Sequence, residues 1–153
     1  MDNDKVISTL NDLIETCKDG EQGFSSSAKD VTDSELKAMF NDRARGCAEG
    51  ARVLQDQVRR LGGEPATSGS TAGAAHRGWE SVKAKITGKD NKAILEEVER
   101  GEAIAVKSYR KALDADLPTE VRDIVERQFQ GVEQNYNQVR KLREQHTPQR
   151  SPR

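Results

Sequence analysis

The chain has 153 residues, of which 33% are apolar and 33% are charged, with a formal net charge of -1 and a mean hydropathy of -0.87. This charge balance excludes the electrostatic attraction that draws basic proteins to nucleic acids or anionic membranes, so we expect neither as a partner. A single thick core requires more apolar residues than this, whereas long helices with a narrow apolar stripe need fewer, so the composition favours an all-α bundle.

The sequence shows no sign of a membrane span or of secretion. No apolar run approaches the length of a span, and the polar first residues, MDNDKV, do not read as a signal peptide. The two cysteines, Cys17 and Cys47, are too few for a secreted disulfide framework, and His76 and His146 do not cluster with them as zinc ligands would. We therefore expect a cytoplasmic protein.

The first predicted helix covers residues 4–30. Its apolar residues recur every three or four positions, as in a helix that packs against other helices: Val6, Leu10, Ile14, Cys17, Phe24, Ala28 and Val31. Glu21 interrupts this series at one interior position. A carboxylate in a core is costly unless it is paired, hydrogen-bonded or bound to a metal, so Glu21 is the first candidate site residue.

The second predicted helix covers residues 33–62. Thr32 and Glu35 have the spacing of a capping box, which predicts that Thr32 begins this helix. Gly62-Gly63 followed by Pro65 predicts its end.

A long crossover is predicted at residues 63–89, where the composition shifts to Gly, Ser, Thr and Ala. Within it, a short helix is predicted at about residues 76–86, with Trp79 on its apolar face. A connection of this length allows the third helix to begin at the opposite end of the bundle.

The third and fourth helices are predicted at residues 90–114 and 118–145. Glu102 lies at an interior position of the third helix, just as Glu21 does in the first helix. Residues 1–146 are thus predicted to form one four-helix domain, and residues 147–153 a disordered basic tail.

Two helices joined by a short turn are antiparallel, so one register pairs all their facing residues. The register that pairs apolar residues throughout the first hairpin places Glu21 opposite Arg43 and Cys17 opposite Cys47. The corresponding register of the second hairpin places Glu102 opposite Gln128. The sequence therefore predicts a buried polar layer made of Glu21, Arg43, Glu102 and Gln128.

Four segments of the sequence carry a resemblance to a known family: LNDLIETCKDGEQGF, RLGGEP, ERGEAIAVKSYRKAL and LPTEVRDIVERQ. They resemble the ferritin-like superfamily, whose four-helix bundles have a glutamate on helices one and three and a Glu-x-x-His motif on helices two and four. The whole chain is similar to an uncharacterised, mainly proteobacterial family of small ferritin-like proteins of unknown function. The resemblance implies a ferritin-like antiparallel four-helix bundle, a bacterial source and, as for other small members, an association with stress.

The resemblance also implies that Glu21 and Glu102 correspond to the single glutamates of helices one and three. The Glu-x-x-His motifs have no counterpart, because the interior positions read CAEG at residues 47–50 and GVEQ or VEQN at residues 131–135. A di-iron centre needs carboxylates and imidazoles that converge on two metal ions, so a standard ferroxidase centre is not expected. We expect no cofactor, with iron or manganese bound by Glu21 and Glu102 as the alternative.

Three hypotheses for the function remain, and no catalytic set of residues that would indicate an enzyme is visible. The first is a non-catalytic, degenerate ferritin-like bundle whose polar layer aligns the helices. The second is a metal-binding or redox-active bundle that uses Glu21 and Glu102. Cys17 and Cys47 are either small apolar fillers or, because they face each other, a disulfide or a redox switch. The third is an assembly module that forms a homodimer or binds another protein.

Glycines occur inside all four predicted helices at the level of the polar layer: Gly20, Gly46, Gly50, Gly101 and Gly131. Each costs helix propensity of roughly 1 kcal/mol relative to alanine. Such glycines indicate either a close approach of two helices or space left for a ligand, and both alternatives stay open.

Overall fold

The computed structural model describes residues 2–69 and 90–146. These residues form four long α-helices: α1 Asn3–Asp30, α2 Ser34–Arg60, α3 Asn91–Asp114 and α4 Thr119–His146. The predicted all-α four-helix fold is confirmed. None of the described helices combines the length and the apolar character that a membrane span requires.

Three of the sequence predictions fall outside the described residues. They are the short helix at residues 76–86 with its Trp79, the environment of His76, and the basic tail at residues 147–153.

Aspartates cap the first two helices. Asp2 is the N-cap of α1, and Asp33 is the N-cap of α2, where its carboxylate accepts a hydrogen bond from the backbone N–H of Leu36 at 3.0 Å. The prediction that Thr32 begins α2 is therefore wrong by one residue. Thr32 instead donates its backbone N–H to Asn91 Oδ1 at 3.0 Å. The residue predicted as the N-cap of α2 therefore makes a contact with α3.

The helices form two antiparallel hairpins that pack side by side. α1 packs against α2, α3 against α4, and α1 also against α3. The contact of Thr32 with Asn91 joins the end of α1 to the start of α3, and the contact of Cys17 with Tyr109 joins the middle of α1 to the last third of α3. α1 and α3 are therefore antiparallel. α2 and α3 are therefore parallel, as in bundles with one long connection.

The described core consists of two apolar clusters at opposite ends of the bundle. The first contains Val6, Leu10, Leu13, Ile14, Cys17, Ala51, Leu54, Val58, Tyr109, Ala112, Leu117, Val121 and Val125. The second contains Phe24, Ala28, Val31, Leu36, Phe40, Ala44, Ile94, Leu95, Val98 and Val139. Along each helix the two sets are separated by 7 to 14 residues, which is about two to four turns, and this interval holds polar residues of the interior.

The register of the second hairpin differs from the predicted one. Gln128, predicted to face Glu102, accepts a hydrogen bond from the Tyr109 hydroxyl at 2.8 Å, about two turns further along α3. Arg122 ties the first turn of α4 to the end of α3, because its Nη1 donates to the carbonyl oxygen of Leu113 at 3.0 Å and its Nη2 to that of Ala115 at 2.7 Å.

Candidate functional site

A cavity of about 310 Å³ lies between the two apolar clusters, and its largely apolar wall includes several polar side chains. All four helices contribute to its wall, which includes Cys17 from α1, Arg43 from α2, Glu102 from α3 and Gln128 from α4. Small-molecule pockets in proteins span about 300–1,000 Å³, so this cavity is at the lower end of that range. We regard it as the candidate functional site.

Helical glycines create this cavity in two different ways. A Cβ atom added to Gly46 or Gly131 would meet no atom within 4 Å, so these two glycines leave open space beside the cavity. A Cβ atom added to Gly20 would lie 2.9 Å from Cys47 Sγ, so here the glycine allows α1 to approach α2 closely. Both alternatives that the sequence left open therefore occur, at different positions.

Alanine substitutions at these glycines are expected to have opposite outcomes. Gly46→Ala should stabilise the protein by roughly 1 kcal/mol, because it gains helix propensity without a clash. Gly20→Ala should lose that gain and be destabilising, because Cys47 must move. Urea denaturation measures both. The double variant Gly20→Ala/Cys47→Ala should recover stability, and equal effects of the two single changes would contradict the packing at Gly20.

One chain of hydrogen bonds joins all four helices at this level. Cys17 Sγ lies 3.2 Å from Tyr109 Oη, and the Tyr109 hydroxyl donates to Gln128 Oε1 at 2.8 Å. Gln128 Nε2 in turn donates to the backbone carbonyl of Gly50 at 3.3 Å. Because the tyrosine proton is directed at the amide oxygen, the Cys17 thiol is the donor to Tyr109. The chain aligns the helices and leaves these polar groups satisfied.

The two cysteines are free thiols, of which Cys17 is buried and Cys47 is partly buried. Burial raises the pKa of Cys17 to about 11, although the hydrogen bond to Tyr109 acts in the opposite direction. Burial also raises the pKa of Cys47 well above its usual range, with the neighbouring Cys17 adding to the shift. The thiolate is the reactive form of cysteine, so both thiols are protonated and unreactive at neutral pH.

A buried ion pair faces the cavity. Arg43 Nη1 lies 4.0 Å from Glu102 Oε2, and the two side chains are only 10% and 6% exposed. Neither of these two atoms has a hydrogen-bond partner among the described residues. Arg43 is held from its other side, because its Nη2 donates to Gln138 Oε1 of α4.

Burial dominates the protonation of this pair. It raises the pKa of Glu102 to about 8, although the Arg43 guanidinium opposes the shift. Burial likewise lowers the pKa of Arg43, with Glu102 opposing, but a guanidinium stays charged in proteins. At neutral pH the carboxyl group is therefore mostly protonated, and the pair carries a net positive charge.

Glu21 does not belong to this layer, which corrects the predicted pair of Glu21 and Arg43. Its side chain is 37% exposed and lies 3.8 Å from Lys18 Nζ, while Arg43 faces Glu102. The interior residue of α1 at this level is the buried Gly20. A helical period of 3.6 allows either of two adjacent residues to face inward, and the glycine permits the close approach to α2.

Sequence reasoning also missed Gln138, which holds Arg43. A signal was present, because Gln128, Asn135 and Gln138 recur along α4 at intervals of seven and three residues, with Gly131 between them. That spacing places polar residues on one face of the helix. Gln128, Gly131 and Asn135 line the cavity, and Gln138 is hydrogen-bonded to Arg43.

The match to a family model now identifies the chain. Residues 5–115 match the model described as Domain of unknown function (DUF2383). The chain belongs to this family. The match includes most of α1 and all of α2 and α3, and hence both members of the ion pair. No curated protein matches this DUF2383 chain.

Solved structures similar to the DUF2383 chain share its fold. A ferritin-like, diiron-carboxylate protein from Bacillus anthracis str. Ames has a TM-score of 0.74 at 19% identity, over 93% of this chain and 99% of that one. The dodecameric thioferritin of Bacteroides fragilis, a bacterioferritin-related protein, has a TM-score of 0.79 at 14% identity, over 97% and 90% of the two chains. A DPS protein from Vibrio cholerae O1 has a TM-score of 0.70 at 14% identity, over 92% and 89%. The ferritin-like fold is thus confirmed.

The residues of this DUF2383 protein do not fit a di-iron centre. Within the described residues, no three or more His, Cys, Asp or Glu side chains are grouped to hold a metal ion. Glu102 is the buried carboxyl of the cavity wall, and the guanidinium beside it repels a metal cation. Asp42, at the edge of the cavity, is 76% exposed and pairs with Arg45 at 3.4 Å.

Proposed function

We propose that this protein is a degenerate ferritin-like bundle, in which a buried ion pair and a cavity stand in place of a di-iron centre. The observation that carries this proposal is the guanidinium of Arg43, 4.0 Å from the Glu102 carboxyl and 10% exposed. An arginine cannot lose its charge in a protein, so the positive charge in the interior is permanent. The proposed role is non-catalytic and independent of metal. A cytoplasmic location and a stress-associated role also belong to the proposal; the first is an expectation from the sequence, and the second depends on the family resemblance alone.

Metal analysis tests this proposal. Protein produced in medium supplemented with iron and manganese is expected to contain far less than one metal ion per chain, because the cavity wall has one buried carboxyl, that of Glu102, and a competing cation. Mass spectrometry of the purified protein measures the content, with Glu102→Ala as the matched control for background. One or two ions per chain in the wild type, lost in Glu102→Ala, would overturn the proposal.

The second hypothesis, a metal site that uses Glu21 and Glu102, stays a prediction with little support. It requires the half-exposed Glu21 side chain to turn inward, past the Lys18 that neighbours it. The redox role of Cys17 and Cys47 also stays a prediction. The raised pKa of each thiol favours a structural role instead, because little thiolate forms at neutral pH.

The third hypothesis is a homodimer or another assembly formed through the outer faces of the helices. The similar protein of Bacteroides fragilis is dodecameric. At 14% identity this likeness concerns the fold, so self-association of the present chain stays a prediction. It is compatible with the proposed role, because the cavity is formed by the helices of one chain.

A further inference from the structure

Two residues of the cavity wall each have a buried polar atom without a hydrogen-bond partner. Arg43 Nη1 and Glu102 Oε2 are 4.0 Å apart, which is too far for a hydrogen bond, and neither has another partner among the described residues. Both atoms are buried, so an oxygen atom from the cavity reaches them only when the two side chains shift. Leaving buried polar groups without a partner is costly, so an acceptor that enters from the cavity would stabilise them.

The protonation of the pair defines the chemistry of such an occupant. With the pKa of Glu102 raised to about 8 by burial, both groups are hydrogen-bond donors at neutral pH, and only Arg43 is charged. The matching partner is an acceptor that carries one negative charge. A water molecule would accept a hydrogen bond but leave the buried guanidinium without a counter-charge.

The remainder of the cavity restricts the occupant further. Ala105 and Val132 form apolar parts of its wall, and the thiol of Cys17 lies beyond them. A water molecule takes about 30 Å³ in the liquid, so about 310 Å³ has room for roughly ten atoms of that size. An inorganic anion would leave the apolar wall uncovered, and a dianion would place its second charge against that wall.

We infer that the cavity binds a small organic monocarboxylate, with its carboxylate group between Arg43 and Glu102 and its short apolar end against Ala105 and Val132. Arg43 is the electrostatic partner, Glu102 donates a second hydrogen bond, and Gln138 orients the guanidinium. The inference rests on the proposed function, because a metal ion would need the same carboxyl group.

Binding of butyrate to the full chain, with butyramide as the uncharged control, tests the inference by calorimetry at pH 6.5. Wild-type protein should bind butyrate at millimolar concentrations and should not bind butyramide detectably. Arg43→Met should weaken binding about tenfold to hundredfold, since it removes a charged hydrogen bond. Arg45→Met makes the same chemical change at a side chain that is 73% exposed, and should bind as the wild type does.

The pH dependence supplies a second test that does not require Arg43→Met to fold. The titratable groups that act on Glu102 are Arg43 and Cys47 of α2 and Tyr109 of its own helix, and burial raises the pKa of the Cys47 thiol and of the Tyr109 phenol well above their usual ranges. Ionisation of Glu102 should therefore weaken butyrate binding about tenfold per pH unit above pH 8. Glu102→Gln keeps a donor and should bind equally at pH 6.5 and 9.5.

Each outcome decides the inference. Any one of four results would overturn it. The wild type does not bind butyrate, it binds butyramide equally well, folded Arg43→Met binds butyrate fully, or the wild-type affinity does not change with pH. Metal content of the same preparation separates this from the proposed function. Metal-free protein that does not bind butyrate contradicts the inference alone, whereas stoichiometric metal contradicts the proposed function.

Discussion

Glu102→Gln is expected to remove most of the pH dependence of stability between pH 5 and pH 8. The pKa of Glu102 is raised from 4.5 to about 8 in the folded protein. Between these values the folded state binds more protons than the unfolded state, so the free energy of unfolding falls as the pH rises through this window. The wild-type loss from this one group should be on the order of 4 kcal/mol, because each unit of pKa shift corresponds to about 1.4 kcal/mol.

Urea denaturation at half-unit pH intervals measures this effect. The glutamine variant should be more stable than the wild type at pH 8.5, where the wild type contains a buried carboxylate. Glu96→Gln on the same helix, at a side chain that is 47% exposed, should keep the wild-type slope. A glutamine variant with an unchanged slope would mean that the Glu102 carboxyl group reaches water.

Arg43→Met is expected to destabilise the protein strongly at pH 9 and only slightly at pH 6. At pH 9 the Glu102 carboxylate loses its buried counter-charge, a change that typically costs about 3–5 kcal/mol. At pH 6 Glu102 is protonated in the folded protein, so no charge is left unpaired. Thermal or urea denaturation at the two pH values measures the difference.

A second substitution identifies the partner of Arg43. Arg43→Met/Glu102→Leu should recover much of the stability lost at pH 9, because an apolar pair of similar volume can replace a buried ion pair. Arg43→Met/Glu21→Leu should not recover it, since the Glu21 side chain lies beside Lys18. Recovery by the Glu21 change and not by the Glu102 change would restore the pairing that the sequence predicts.

The polar level has an energetic consequence for the whole bundle. It separates the two apolar clusters by a cavity, a buried charge and the helical glycines Gly46 and Gly131, all of which lower stability. A bundle that needed only stability would continue the apolar packing, so this level has a role in alignment or in ligand binding. The hydrogen-bond chain through Tyr109 and Gln128 aligns the helices. The unpartnered atoms of Arg43 and Glu102 do not, and this contrast supports a ligand at Arg43 and Glu102.

Some properties of this protein follow from the sequence alone. Apolar residues that recur at three and four positions, the aspartate caps and the prolines and glycines between helices act locally, so an all-α four-helix bundle could be predicted. The absence of Glu-x-x-His motifs is likewise readable without a structure, because a missing residue type cannot be supplied by folding. Glu102 and Arg43 could also be recognised as polar residues on apolar faces.

Only the tertiary structure decided how the interior residues pair. The helical period does not distinguish Gly20 from Glu21, and the contact with Cys47 made the glycine the interior residue. Because α4 is shifted along α3, Gln128 forms its hydrogen bond with Tyr109 and does not face Glu102. Pairing depends on the distance and tilt between helices, which a pattern along one helix does not contain. Arg43 therefore faces Glu102 across a cavity, on an element distant in sequence, and that juxtaposition is the basis of the proposed function.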